Sequence, residues 1–150
     1  MIQTSIAAPM QPRQQLETRE SDLLDPLLCL AGDTHHARVL IVAEHGLDLM
    51  CGLIRRGCLA ATIVRPGGQP DADDYDVVLV PRVTALASLD AVVRLARRSL
   101  IANGRLIAGV RYGRDAAALA RRLRLNGFSV VHLTRLPGLA LLRAELRRLP

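Results

Sequence analysis

Four nearly uninterrupted apolar runs of strand length most constrain how this chain can fold. They are ARVLIVA at 37–43, CLAATIV at 58–64, DYDVVLV at 74–80 and RLIAGV at 105–110. A strand with one wet face alternates apolar and polar residues; ARVLIVA and DYDVVLV do not, so both of their faces must be covered. Amphipathic stretches between them supply the cover. In 47–56, Leu47, Cys51 and Ile54 fall at i, i+4 and i+7 and make one helical stripe, stopped by Gly57. From about Ser88, a plausible cap, Leu89, Val92, Val93, Ala96 and Leu100 form an inner face, with Arg94, Arg97 and Arg98 opposite. A third helix, capped by Asp115, turns Leu119, Ala120 and Leu123 inward and ends at Asn126-Gly127.

Ahead of the first run, Asp25 can cap a short helix that has Pro26 at its first position and Gly32 past its end. Behind the last helix, FSVVHLTRL and LALLRAEL are split by Pro137-Gly138 and read as a hairpin. Strand and helix therefore alternate until a hairpin closes the chain. The expected architecture is α/β: a doubly wound, mostly parallel, Rossmann-like sheet with an antiparallel element at one edge. Residues 1–20 are polar and Gln-rich with no apolar period, which predicts a disordered tail before a single domain over 21–150.

Composition excludes several functions. No apolar run approaches the ~20 residues that span a bilayer, and the N-terminal residues lack a secretory pattern, so a soluble cytoplasmic protein is expected. Cys29, Cys51 and Cys58 are odd in number with no close pair, against a disulfide framework, and no His adjoins a Cys at metal-ligand spacing. Ser88, Ser99 and Ser129 lack a nucleophile-elbow context, and His132 reads as a sheet residue. Charge is uneven: residues 111–150 carry nine Arg against two acids, whereas residues 1–31 are net negative. A basic C-terminal third suits nucleic acid or an acidic partner. Because Lys is absent from the whole chain, compositional bias explains the arginines at least as well, and nucleic-acid binding is not favoured.

The closing hairpin narrows the fold. SLIANGRLIAGV is similar to the helix, turn and fifth strand of the class I S-adenosylmethionine-dependent methyltransferases, written LLxPGGRLV. NGFSVVHL is similar to that family's entry to its sixth strand, and DYDVVLV to its fourth. By element order the chain resembles that family over about 38–146, in truncated form. The resemblance implies an S-adenosylmethionine site, yet the motifs that would form one are degenerate. Aligned on the first strand, the family's three glycines fall on Ala43, His45 and Leu47, and its strand-ending acid falls on Ile41. Gly46 stands out of register beside Glu44. The acid that accepts hydrogen bonds from the ribose hydroxyls is replaced by Arg65, whose guanidinium has donors only. A helix, a strand and another helix of the family are replaced by the loop 65–73, which reaches at most ~30 Å. In place of an Asn/Asp-Pro-Pro-aromatic turn stand Pro81 and Arg82.

ARVLIVAEHG also resembles bacterial response-regulator receivers, but Val80, Pro81 and Arg82 occupy the place of their phosphorylated Asp. Two functional expectations remain. One is a methyltransferase-like domain without cofactor, acting as a binding, scaffolding or assembly subunit with a protein partner or a second copy of itself. The alternative is a divergent S-adenosylmethionine-dependent methyltransferase of unknown substrate. Its contacts would be Glu44, His45 and Gly46 on the first turn and Arg82 after the third strand; neither reading names a catalytic residue or a metal.

Overall fold

The computed structural model describes residues 23–70, 74–83 and 86–147. The tail expected over 1–20 lies outside these residues, as do residues 71–73 of the loop 65–73. Helices α1 (Leu24–Ala31), α2 (Leu47–Arg55), α3 (Leu86–Ser99) and α4 (Arg114–Leu125) alternate with strands β1 (Arg38–Val42), β2 (Ala60–Val64), β3 (Tyr75–Val83) and β4 (Leu100–Arg111). Strands β5 (Phe128–Leu136) and β6 (Leu139–Leu146) form the hairpin. The six strands make one sheet in the order β2-β1-β3-β4-β6-β5. The first four are parallel; β6 pairs antiparallel with both β4 and β5. This is the doubly wound sheet with a reversed terminal strand that the alternation of runs and helices predicts.

Side chains alternate across the sheet, and both faces of its central strands are buried, while the outer strands β2 and β5 are partly exposed. Val39, Ile41, Val77, Leu79, Ile107 and Leu141 meet α1 and α2. Leu40, Val78, Val80, Leu106 and Leu142 meet α3 and α4. The buried residues of α3 and α4 are close to those expected: Leu89, Val92, Val93, Ala96, Leu119 and Leu123 all lie in the core. After β2 the chain turns at Arg65, whose carbonyl accepts from Gly68 N–H at 2.8 Å. Gln69 Oε1 then accepts from Arg98 of α3 at 3.3 Å, so the described part of this loop lies on the α3 side of the sheet. Winding thereby reverses between β1 and β3.

The helix beginnings differ from expectation. None of Asp25, Ser88 and Asp115 is a cap: α1 starts after Leu23 and α4 after Gly113, without side-chain capping bonds, and Ser88 is already inside α3. Asp25 and Asp115 occupy first turns instead, where a carboxylate still meets the positive end of the helix dipole. Helix α1 is secured at its other end. Arg105 Nε donates to Ala31 O at 2.5 Å, Arg105 Nη2 to Asp33 O at 2.6 Å, and Arg143 Nη1 to Leu30 O at 3.0 Å. Two guanidiniums from β4 and β6 thus satisfy carbonyls that a helix C-terminus leaves open. Burial, aided by the neighbouring Arg143, lowers the Arg105 pKa from its usual value.

Strand β3 runs further than expected, through Pro81 and Arg82 to Val83. Its register with β4 shifts between Val80 and Val83, and Gly109 faces this irregularity. A Cβ on Gly109 would collide with the Pro81 carbonyl oxygen and lie 3.0 Å from its carbon. A second irregularity sits at Asn103-Gly104, where Tyr75 pairs with Leu100 but Val77 with Arg105. Asn103 has φ of +67° there. The turn expected before RLIAGV is therefore a bulge within β4.

Candidate functional site at the carboxyl end of the sheet

In open α/β sheets, ligands bind outside the carboxyl ends of the strands, where the winding reverses. Here that point lies between β1 and β3. Beyond β1 comes 43–46; β3 ends at Arg82 and Val83. The four residues singled out in the sequence therefore lie at the ends of the two strands that flank the switch point. Glu44, His45 and Arg82 are exposed, and Gly46 is buried.

The turn after β1 is built to pack. Ala43 N–H donates to Val64 O at 3.0 Å and carries the β1–β2 pairing one residue past the strand. Gly46 precedes α2 and its carbonyl accepts from Met50 N–H at 3.0 Å. A Cβ on Gly46 would lie 3.1 Å from Ile41 Cγ2 and 3.4 Å from Ile63. The room that glycine leaves is thus closed by two isoleucines of the sheet. Ile41, at the position of the family's acid, is fully buried and offers no acceptor. At the end of β2, Arg65 is exposed, with no acceptor to offer a ribose.

Around this rim the structure gathers residues that a linear reading separates. Because β5 runs parallel to β4, Arg135 ends up beside the end of β4, and its Cζ sits 3.9 Å over the Tyr112 ring. Arg111 and Arg114 are exposed next to it. The carboxyl end thus carries Arg65, Arg82, Arg111, Arg114 and Arg135 against Glu44, Asp48 and Asp115, a net positive rim. The sequence signal is the basic C-terminal third; strand direction, which composition does not encode, decides which of those arginines gather here.

The largest departure from expectation is in α2. The stripe Leu47, Cys51 and Ile54, expected to be the buried face, points to solvent: Leu47 is 69% and Ile54 59% exposed, and Cys51 is exposed. Leu49 and Leu53 bury instead, and Gly52 admits Leu28 and Leu24 of α1. Leu59, 59% exposed, follows the helix and leads into β2, an edge strand with no charged residue. Burial raises the Cys58 thiol pKa nearby. Uncovered apolar side chains therefore lie on α2 and at the start of β2. Among the described residues, no cluster of His, Cys, Asp and Glu could hold a metal, and no helix is long and apolar enough to cross a membrane.

No family model matches the chain, and no curated protein matches it. Solved structures do match. A Mesorhizobium loti S-adenosylmethionine dependent methyltransferase superposes with a TM-score of 0.66 at 11% identity, over 87% of this chain and 99% of that one. The ribosomal protein L11 methylase of Lactobacillus delbrueckii subsp. bulgaricus gives 0.68 at 15% identity, over 85% and 80%. A Listeria monocytogenes protein assigned as an S-adenosylmethionine dependent methyltransferase gives 0.66 at 15%, over 86% and 98%. The fold is that of the class I methyltransferases.

Proposed function

We propose that this chain is a methyltransferase-fold protein without cofactor, working as a non-catalytic binding or assembly subunit through its β2 side. The observation that carries the reading is the exposure of large apolar side chains there, Leu47 and Ile54 on the outer side of α2 and Leu59 just before β2, an edge strand without charge. Apolar side chains left in water beside unpaired strand backbone favour association, and native edges are ordinarily blunted by charge or proline. The carboxyl-end crevice supports the same reading. Where the family holds an adenosyl ligand, isoleucines fill the space under Gly46 and Arg65 replaces the acceptor. S-adenosylmethionine itself carries two positive groups against one carboxylate, and a net positive rim opposes it.

Two measurements test this. Melting of the full chain with and without millimolar S-adenosylmethionine or S-adenosylhomocysteine should show no shift. A ligand at 100 times its dissociation constant adds ~2.7 kcal/mol, several degrees for this size. Light scattering and partner capture should show an assembly that Leu47→Asp with Ile54→Asp abolishes. A strictly monomeric chain that recovers no partner would remove the proposal.

One observation favours the alternative, a divergent methyltransferase. Glu44, His45 and Arg82 stand exposed at the reversal of winding, where such sheets bind their ligands. On that reading Glu44 accepts hydrogen bonds from the ligand, and the backbone of Gly46 approaches it. A melting shift of several degrees, abolished in Glu44→Ala, would establish this reading in place of the first.

A further inference from the structure

The two helical layers differ in charge. Helices α1 and α2 together hold Asp25, Asp48 and Arg55. Helices α3 and α4 hold seven arginines against Asp90 and Asp115. Both cover the same face of the sheet, so their outer sides look the same way. Arg122 Nε bonds Asp90 Oδ1 at 2.7 Å and ties α4 to α3; outside that pair six arginines stand against Asp115. Arg94, Arg97, Arg121 and Arg124 are exposed and have no ion-pair partner among the described residues.

We infer that the outer face of α3 and α4 docks the phosphate backbone of a nucleic-acid duplex. Charge complementarity identifies the ligand as a polyanion, and guanidiniums match phosphate in a two-pronged geometry. What else the face holds decides which polyanion. A protein interface needs an apolar centre. Leu125 is the only large apolar side chain exposed on these helices among the described residues. Single-strand binders stack bases on aromatic rings, and neither helix contains an aromatic residue. A face of cationic donors without rings or an apolar centre suits docking on a duplex backbone without base reading. This surface is separate from the β2 side and does not depend on the reading proposed for it.

The test is fluorescence anisotropy of the full chain with a 20-base-pair DNA duplex, a single strand of equal length and polyglutamate, across 50–200 mM salt. The duplex should bind best, with affinity falling steeply as salt rises. Arg94→Gln, Arg97→Gln, Arg121→Gln and Arg124→Gln combined should weaken binding at 50 mM salt at least ~10-fold. They should also flatten the log–log salt slope by up to ~3.6, about 0.9 for each phosphate no longer neutralised. Arg55→Gln with Arg56→Gln, on the opposite layer, should leave both unchanged. Absent or salt-insensitive binding would overturn the inference. So would equal binding of polyglutamate, tighter binding of the single strand, or equal weakening by the opposite-layer pair.

Discussion

At the scale of single residues, Gly109 shows how one missing methyl group lets two strands meet. It sits where β3 and β4 lose register, against the Pro81 carbonyl, with Leu141 Cδ2 3.3 Å from any added Cβ. Neither neighbour can withdraw cheaply, since one is backbone and the other is fully buried. Gly109→Ala should therefore cost at least ~2 kcal/mol, as overpacking of a filled interior does, seen as a lower urea midpoint at unchanged slope. Sequence marks this region only as a strand. That RLIAGV needs its glycine follows from Pro81 lying inside β3, whereas the sequence places Pro81 in the turn after that strand. The placement of the candidate contacts is partly legible: Glu44, His45 and Gly46 follow β1 as the apolar run implies, whereas Arg82, expected after the third strand, lies within β3. The packing of Ile41 and Ile63 beneath Gly46 is not legible, because it depends on which face each side chain takes.

At the scale of elements, α2 separates what periodicity gives from what only packing decides. Its nine residues include two apolar sets, Leu47-Cys51-Ile54 and Leu49-Leu53, on different sides. Periodicity finds both and cannot choose between them; by length alone it favours the set that turns out to face water. Gly52 breaks the tie by letting α1 close on the other side, 3.0 Å from Leu28 Cδ1 to an added Cβ. Truncation should expose the difference. Leu53→Ala should cost about 2–5 kcal/mol, the range for a buried leucine, while Ile54→Ser should change the stability of the isolated chain by no more than ~0.5 kcal/mol. Calorimetric melts of the two variants measure both. Helices α3 and α4, each with one apolar face, offer no such choice, and most of their buried residues follow from spacing; Leu100, expected on α3, begins β4 instead, and Ala120 is only half-buried.

At the scale of the whole molecule, the sheet is legible where neighbours in sequence are neighbours in space, or where an unbroken apolar run demands a central place. Runs 37–43, 74–80 and 105–110 form β1, β3 and β4, the strands buried on both faces, whereas the equally apolar run 58–64 forms the half-exposed edge strand β2. The same position predicts their dynamics. In hydrogen exchange the amides of β3 and β4 around Leu79 and Ile107 should open only with global unfolding. Those of the outermost strands β2 and β5 should exchange at least ~10-fold faster; uniform protection across all six strands would contradict this order. One consequence of the topology concerns the last two strands. Strand β5 is reached along the chain before β6, yet it touches the sheet only through β6. Its backbone pairing to the sheet therefore depends wholly on Leu139–Leu146, which bonds to β5 on one side and β4 on the other. The Pro137-Gly138 bend, with Gly138 at φ +72°, sets the register in which the two strands of the hairpin meet.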